Sequence, residues 1–402
     1  MKKLFFIAAI AGAALVSCTK NELAPSATEQ HELIFANPVT STLTKAVDLA
    51  TGTQYPTTAP FYVFADYHID QFSANGTVPE DVTSYMRGDN GVLVTYKTTE
   101  ITINNQKYDE YWSADKKYYW PMDGYLTFAA YSTGTTTSLI GGTDIEYTFE
   151  HGLKVEDYTI SNDNTNPATY NQYDLMLSKR ALNQEKTTMK PGNDVYDGVQ
   201  IQFEHALSAI KFAVCAKENY AIDGYEIKLK SITIENAYNQ ADLTQFESYK
   251  DLNLSTIWSG YDIEDADYVA FTSTDGMVVP YNYTNGALVP TNVSDGDADI
   301  VLIPQGLDHT SDATKTIGTG DEKVTVKIVY TVHHKDMGED SITYTKYFPL
   351  TGTTATISNW EAGKRYIYTI IFGMEEIVFA PTIVKDWGDV NINIEVPKDE
   401  IK

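Results

Sequence analysis

Cysteine is almost missing from this chain: there are two in 402 residues, Cys18 and Cys215. So sparse a supply excludes a disulfide framework, the usual staple of a small secreted fold. Basic residues are also in deficit, with 29 Lys and Arg against 55 Asp and Glu and a formal net charge of −26. An acidic surface of that size repels phosphate backbones, which excludes nucleic acid as a partner. No apolar run reaches the roughly 20 residues that a membrane-spanning helix needs. Gly-x-Ser-x-Gly, His-Glu-x-x-His and phosphate-loop patterns are absent, and spacing singles out no pair of carboxylates as an acid/base couple. The expectation is a protein that is not an enzyme, with no catalytic residue, no cofactor and no metal.

What is present starts with the first 46 residues. Lys2 and Lys3 precede an apolar run from Leu4 to Val16, which ends at Leu15-Val16-Ser17-Cys18. A charged start, a short greasy stretch and a small residue before the cut predict a secretory signal over residues 1–18. Leu-Val-Ser-Cys looks like a bacterial lipobox, in which the Cys18 thiol receives a diacylglycerol and its freed amine an acyl chain. At about 0.8 kcal/mol per buried methylene, several acyl chains hold a protein on a membrane without a spanning helix. A polar tether follows, and then His31-Glu32-Leu33-Ile34-Phe35 reads as a short strand ended by Asn37-Pro38. Thr44-Lys45-Ala46 places a basic residue before a small one in a polar stretch, a favourable site for a trypsin-like protease; the plain alternative is a tether lysine with no role.

Beyond Ala46 the chain is rich in residues suited to pleated, half-buried surfaces, with Tyr 29, Phe 15 and Trp 5. Phe61 to Tyr67 carries aromatics on both faces, as expected between two packed sheets. Tyr118 to Gly124 is a strand end and a turn, and Tyr125 to Tyr131 is a core strand. Polar residues with Pro191 and Gly192 mark a boundary within Lys179 to Gly198. Ile227 and Leu229 share one phase and Ile232 and Ile234 the other, so a bulge is expected near Ser231. Val324, Val326, Ile328, Tyr330 and Val332 alternate clearly, with Thr343 to Phe348 as their hairpin partner. The chain closes on Val390, Ile392, Ile394 and Val396. The predicted class is all-β: two β-sandwiches over residues 46–198 and 199–402, behind a tether and leader at 19–45.

Several of these stretches, in this order, resemble the fimbrillin family, the type V pilins. They are the lipobox and tether, Tyr119-Trp120-Pro121 before Leu126 to Tyr131, Phe203-Glu204-His205-Ala206-Leu207-Ser208-Ala209-Ile210-Lys211-Phe212, Leu302-Ile303-Pro304-Gln305, Trp360-Glu361-Ala362-Gly363-Lys364-Arg365-Tyr366 and Asp386-Trp387. The resemblance implies two tandem transthyretin-like sandwiches, exported as a lipoprotein to the outer membrane and cut by a trypsin-like protease after a basic residue. The family's cut commonly follows arginine; Lys45 here calls for an enzyme that accepts lysine. The strand Leu33, Ile34 and Phe35 would fill an edge of the first sandwich until removed, leaving a groove open to another strand. The alternating tail Val390, Ile392, Ile394 and Val396 is the natural donor to a neighbouring subunit. Contacts of this head-to-tail type do not close, so they build a filament, a surface fimbrium in which this chain is a stalk or a tip subunit, for adhesion to a host or bacterial ligand. The alternative is a lipoprotein of the same fold that keeps its lipid and does not polymerise, acting as a filament anchor or a glycan-binding module.

Four further motifs are read as structural. Asp295, Asp297 and Asp299 lack the glycine and glutamate offsets of a calcium loop and form a solvated acidic loop. His333-His334 are neighbours on a strand and point to opposite faces, so they do not chelate together. Arg87-Gly88-Asp89 spells an integrin-type tripeptide in a turn, where a chance match is the default. Cys215 sits in the apolar run Phe212-Ala213-Val214-Cys215 and is read as an inert buried thiol.

Overall fold

The computed structural model describes residues 31–40, 55–73, 77–103, 106–135, 145–160, 173–186, 198–262, 267–293, 299–309, 323–338, 340–351, 357–374, 376–387 and 396–397. Over these the protein is all-β, with short 3-10 turns at Tyr220–Asp223 and Lys335–Met337. Among the described residues no helix is long and apolar enough to cross a membrane. Cys18, Lys45, Ala46, Val390, Ile392 and Ile394 lie outside the described residues.

The first sheet is built around Phe61–His68, buried along its whole length. Phe61, Val63, Ala65 and Tyr67 belong to one core, whereas Tyr62 and Phe64 belong to another. That split is the two-faced pleat expected of a strand sandwiched between layers. On one side the strand pairs with Val92–Lys97, which pairs with Tyr111–Ala114. On the other it pairs with Tyr125–Ser132, followed by Met176–Ser178 and Gln202–His205. The turn into Tyr125 needs Gly124: its φ is +71° and a β-carbon there would lie 2.7 Å from the His68 carbonyl oxygen.

A four-stranded sheet packs on the outer face of the first. It pairs Ile145–Thr148 and Gly152–Thr159 with Gln240–Thr244 and Trp258–Asp262, so it joins strands from either side of residue 198. Phe64 stacks on Tyr147 with ring centroids 4.2 Å apart. Leu153, Val155 and Leu243 share a single hydrophobic cluster with Phe212, Ile232, Ile328 and Tyr368 of the C-terminal half. Apolar burial therefore runs continuously from one half of the chain into the other.

In the C-terminal half, Ser208–Ala216 and Lys364–Phe372 run parallel from Ala209↔Arg365 to Ala216↔Phe372. Both faces of that pair are buried, as parallel strands require. A second sheet orders Tyr268–Val278, Tyr225–Glu235, Thr325–His334 and Ile342–Pro349. The register shifts between Leu229 and Ser231, the bulge that lets Ile227, Leu229, Ile232 and Ile234 all be buried despite their change of phase. The hairpin pairs Thr331 with Thr343 and Val326 with Phe348, as the alternation predicts.

Candidate functional site: the seat of the N-terminal strand

Residues 31–40, the expected leader, form the seam that closes the first sheet on itself. On one side the Leu33 N–H donates to the Tyr118 carbonyl (2.8 Å), and Phe35 and Trp112 exchange backbone bonds of 2.9 and 3.3 Å. On the other side Ala36 and Val199 take up the pairing: the Ala36 N–H donates to the Val199 carbonyl (3.0 Å), and the Val199 N–H to the Ile34 carbonyl (2.9 Å). Val39–Thr40 then continues parallel to Gln202–His205. The segment thus sits as an extended inner stretch, bridged antiparallel to Tyr119 and Trp112 on one side and parallel to Val199 on the other, so Leu33 to Ala36 is flanked by backbone partners on both sides. Withdrawing it would leave two rows of unpaired backbone groups facing each other across a gap one strand wide.

The side chains explain why this segment fills that gap. Leu33, Ile34, Phe35 and Ala36 are 3%, 0%, 1% and 4% exposed, so both faces of the strand are covered. Phe35 sets its ring edge-to-face against Phe61 (5.6 Å) and Phe128 (5.7 Å). Burying a Leu, Ile or Phe side chain contributes about 1.5–3 kcal/mol each, an upper bound given a compact unfolded chain. Asn37 ends the buried run, its side-chain oxygen accepting from Trp112 Nε1 (3.2 Å) and its carbonyl from Gln200 Nε2 (2.8 Å). At the other end Lys117 Nζ meets Glu32 Oε2 at 2.6 Å, and that hydrogen bond holds the ammonium above its ordinary range.

Gly198 was invisible as a site residue in the sequence, where it reads as the end of a polar linker. Its φ is +96°, and a β-carbon on it would lie 2.6 Å from both the Phe35 carbonyl carbon and the Ala36 nitrogen. Only glycine lets the Val199 backbone come that close to the N-terminal strand. Val199, Ile201 and Phe203, the alternating run that follows, are buried in the same core as Leu33 and Phe35.

The other singled-out residues are placed as follows. Val396 pairs through its backbone with Leu288, so the last described residues of the tail, Val396–Pro397, lie antiparallel to Ala287–Leu288 of the same chain. Arg87 reaches Asp66 at 2.6 Å and lies 4.1 Å over the Tyr147 ring, turned into the protein instead of presented with Gly88 and Asp89. His333 Nδ1 bonds the Asp340 carbonyl and His334 Nε2 the Asp223 carbonyl, two separate fates. Asp299 departs from the solvated loop expected of it: its side chain is buried and gripped by the Arg365 guanidinium through two contacts of 2.8 Å, while Asp295 and Asp297 lie outside the described residues. Cys215 is fully buried, and burial pushes its thiol up to about 12. Among the described residues no three His, Cys, Asp or Glu side chains gather as a metal site.

Comparison with known proteins adds an independent line. A fimbrial protein from Bacteroides vulgatus superposes with a TM-score of 0.52 at 15% identity, covering 89% of this chain and 99% of that one. Candidate cell adhesion proteins from Bacteroides uniformis and Bacteroides ovatus, each 14% identical, give TM-scores of 0.43 and 0.41, covering 90% and 89% of this chain and 100% and 98% of theirs. For the Bacteroides vulgatus protein, at 15% identity, the likeness is one of fold. No curated protein matches the sequence. The sequence profile described as fimbrillin-like matches residues 86–387, most of the chain, and the chain therefore belongs to the fimbrillin-like family.

Proposed function

We propose that this protein is a fimbrial subunit, exported as a lipoprotein through Cys18, released at the cell surface by cleavage after Lys45, and assembled head to tail by strand exchange. The observation that carries this reading is the position of residues 31–40. An N-terminal segment that closes a sheet between two partners, followed in sequence by a polar stretch containing Thr44-Lys45-Ala46, supports its removal as a unit. Its loss opens a slot that only another strand can satisfy, because two rows of buried N–H and C=O groups otherwise go unpaired. The alternating tail through Val390, Ile392, Ile394 and Val396 has the sequence of a strand to hand on to a neighbouring subunit. Membership of the fimbrillin-like family and the fold shared with the Bacteroides vulgatus fimbrial protein support a structural and adhesive role at the surface, with other fimbrial subunits as partners.

N-terminal sequencing of the surface-exposed protein tests the proposal. The expected first residue is Ala46, and Lys45→Ala should leave the longer, lipid-bearing form and prevent polymer. A surface form that begins at Cys18, or polymer formed equally well by the Lys45→Ala variant, would refute processing after Lys45.

A further inference from the structure

The seat of the N-terminal strand has a chemistry of its own, and the present occupant reports it. Four consecutive residues, Leu33 to Ala36, are buried, and Leu33, Ile34 and Phe35 all belong to one apolar cluster. Successive residues of a strand face opposite ways, so this slot is dry on both faces and not on one alone. The tail of this same chain does not match it. Val390-Asn391-Ile392-Asn393-Ile394-Glu395-Val396 alternates strictly, with an amide or a carboxylate at every second position. Whatever the register or direction in which that tail is laid along Leu33 to Ala36, two of its polar residues fall on buried positions. A one-residue slip only exchanges which face carries them. A buried amide or carboxylate without a partner is penalised strongly.

Resting on the strand-exchange reading above, we propose that this slot selects for a strand that is apolar on both faces, and that its partner is a different kind of subunit, not a second copy of this chain. The occupant it fits carries three successive apolar residues, large at the Leu33 and Phe35 positions and aliphatic at the Ile34 position. A hydrogen-bonding side chain follows two residues after the aromatic one, where Asn37 now meets Trp112. The alternating tail of this chain then serves a slot with one wet face, on another subunit. The chain stands at a junction between unlike subunits and does not repeat indefinitely along a filament.

The experiment uses the full chain carrying a site-specific protease sequence inserted between Lys45 and Ala46. After cleavage the N-terminal strand stays seated without a covalent link, and labelled synthetic peptides compete for its place. Exchange is read by native mass spectrometry and by fluorescence polarisation. The three peptides are residues 31–40, the same peptide with Ile34→Asn, and residues 388–400. The expected result is exchange by the 31–40 peptide, with both the Ile34→Asn peptide and the tail peptide weaker by about tenfold or more. A tail peptide that exchanges as well as 31–40 overturns the selectivity while leaving strand exchange standing. An Ile34→Asn peptide equal to its parent overturns the role assigned to the second dry face. If the 31–40 peptide itself fails to enter, both the selectivity and the exchange reading fall.

Discussion

The α-carbon of Gly198 stands so near the backbone of Phe35 that a β-carbon built on it would lie 2.6 Å from the Phe35 carbonyl carbon. The contact joins the N-terminal strand to the strand that opens at Val199, and it is made of backbone on both sides, so neither can move aside cheaply. Gly198→Ala is expected to lower stability by about 1–3 kcal/mol, from the strained left-handed φ and the forced separation together. The loss should be local. Hydrogen exchange at the Leu33, Phe35, Ala36 and Val199 amides should speed up well before that of the Thr325–His334 strand. Uniform loss of protection across the chain, or none, would refute the assignment of Gly198 as the spacer of this seam.

The tripeptide Arg87-Gly88-Asp89 leads to a prediction of opposite sense for its two charged ends. Arg87 Nη2 lies 2.6 Å from Asp66 Oδ1, and Asp66, at 1% exposure, also accepts from the Tyr147 hydroxyl at 3.0 Å. Burial pushes the Asp66 carboxyl up, and Arg87 opposes that shift. Arg87→Ala strips a buried carboxylate of its cation and is expected to cost about 2 kcal/mol in denaturant unfolding. Asp89 is exposed, and Asp89→Ala should stay within about 0.5 kcal/mol of the parent and leave cell adhesion unchanged. Loss of adhesion on Asp89→Ala with stability intact would restore the tripeptide as a ligand.

Much of the fold was legible because it rests on local alternation. The Leu229–Ser231 slip and the pairing of Thr331 with Thr343 are encoded within a few residues of where they occur. Leu33, Ile34 and Phe35 were legible as a buried extended segment for a different reason, three apolar residues in a row ended by Asn37-Pro38. What the strand pairs with was not. Its partners Trp112, Tyr118 and Val199 are far away along the chain, and nothing in a period of two says which distant strand lies beside which. Gly198 escaped because a glycine after polar residues reads as a turn; its use as a point of close approach exists only once Phe35 is beside it. The joining of Gly152–Thr159 to Gln240–Thr244 across residue 198 escaped likewise, since a polar linker with Pro191 and Gly192 looks the same whether or not the strands flanking it share a sheet.

The buried phenols and the buried Cys215 thiol set the alkaline limit. Burial raises Tyr147, Tyr158 and Tyr368 above the ordinary 10.0, and Cys215 from 9.0 to about 12. Each group holds its proton more tightly folded than unfolded, so its contribution to stability is complete below the unfolded value and is lost as pH rises. Urea midpoints should therefore be steady up to about pH 9 and fall beyond it, with tyrosinate absorbance appearing together with unfolding. Cys215 should resist alkylation in the folded protein and react on denaturation. Tyrosinate that develops fully while the fold persists would contradict the burial of these rings.

Arg180 clamps the end of the pairing between Gly152–Thr159 and Gln240–Thr244, where the Phe246 N–H donates to the His151 carbonyl and the Tyr249 N–H to the Glu150 carbonyl. Its guanidinium donates to the Phe149 (2.8 Å), Glu150 (2.7 Å) and Lys250 (3.0 Å) carbonyls and lies 3.8 Å over the Phe246 ring. Burial lowers its pKa to about 10, yet the group stays charged at neutral pH, where three backbone acceptors and an aromatic face replace the water it has lost. A lysine keeps the charge but not the planar fork, so it cannot reach three divergent carbonyls while lying flat on the ring. Arg180→Lys is accordingly expected to be destabilised by about 3 kcal/mol, nearly as much as Arg180→Met. The comparison separates geometry from charge: if Arg180→Lys unfolds at the parent's urea midpoint while Arg180→Met does not, a point charge suffices there and the fork is incidental.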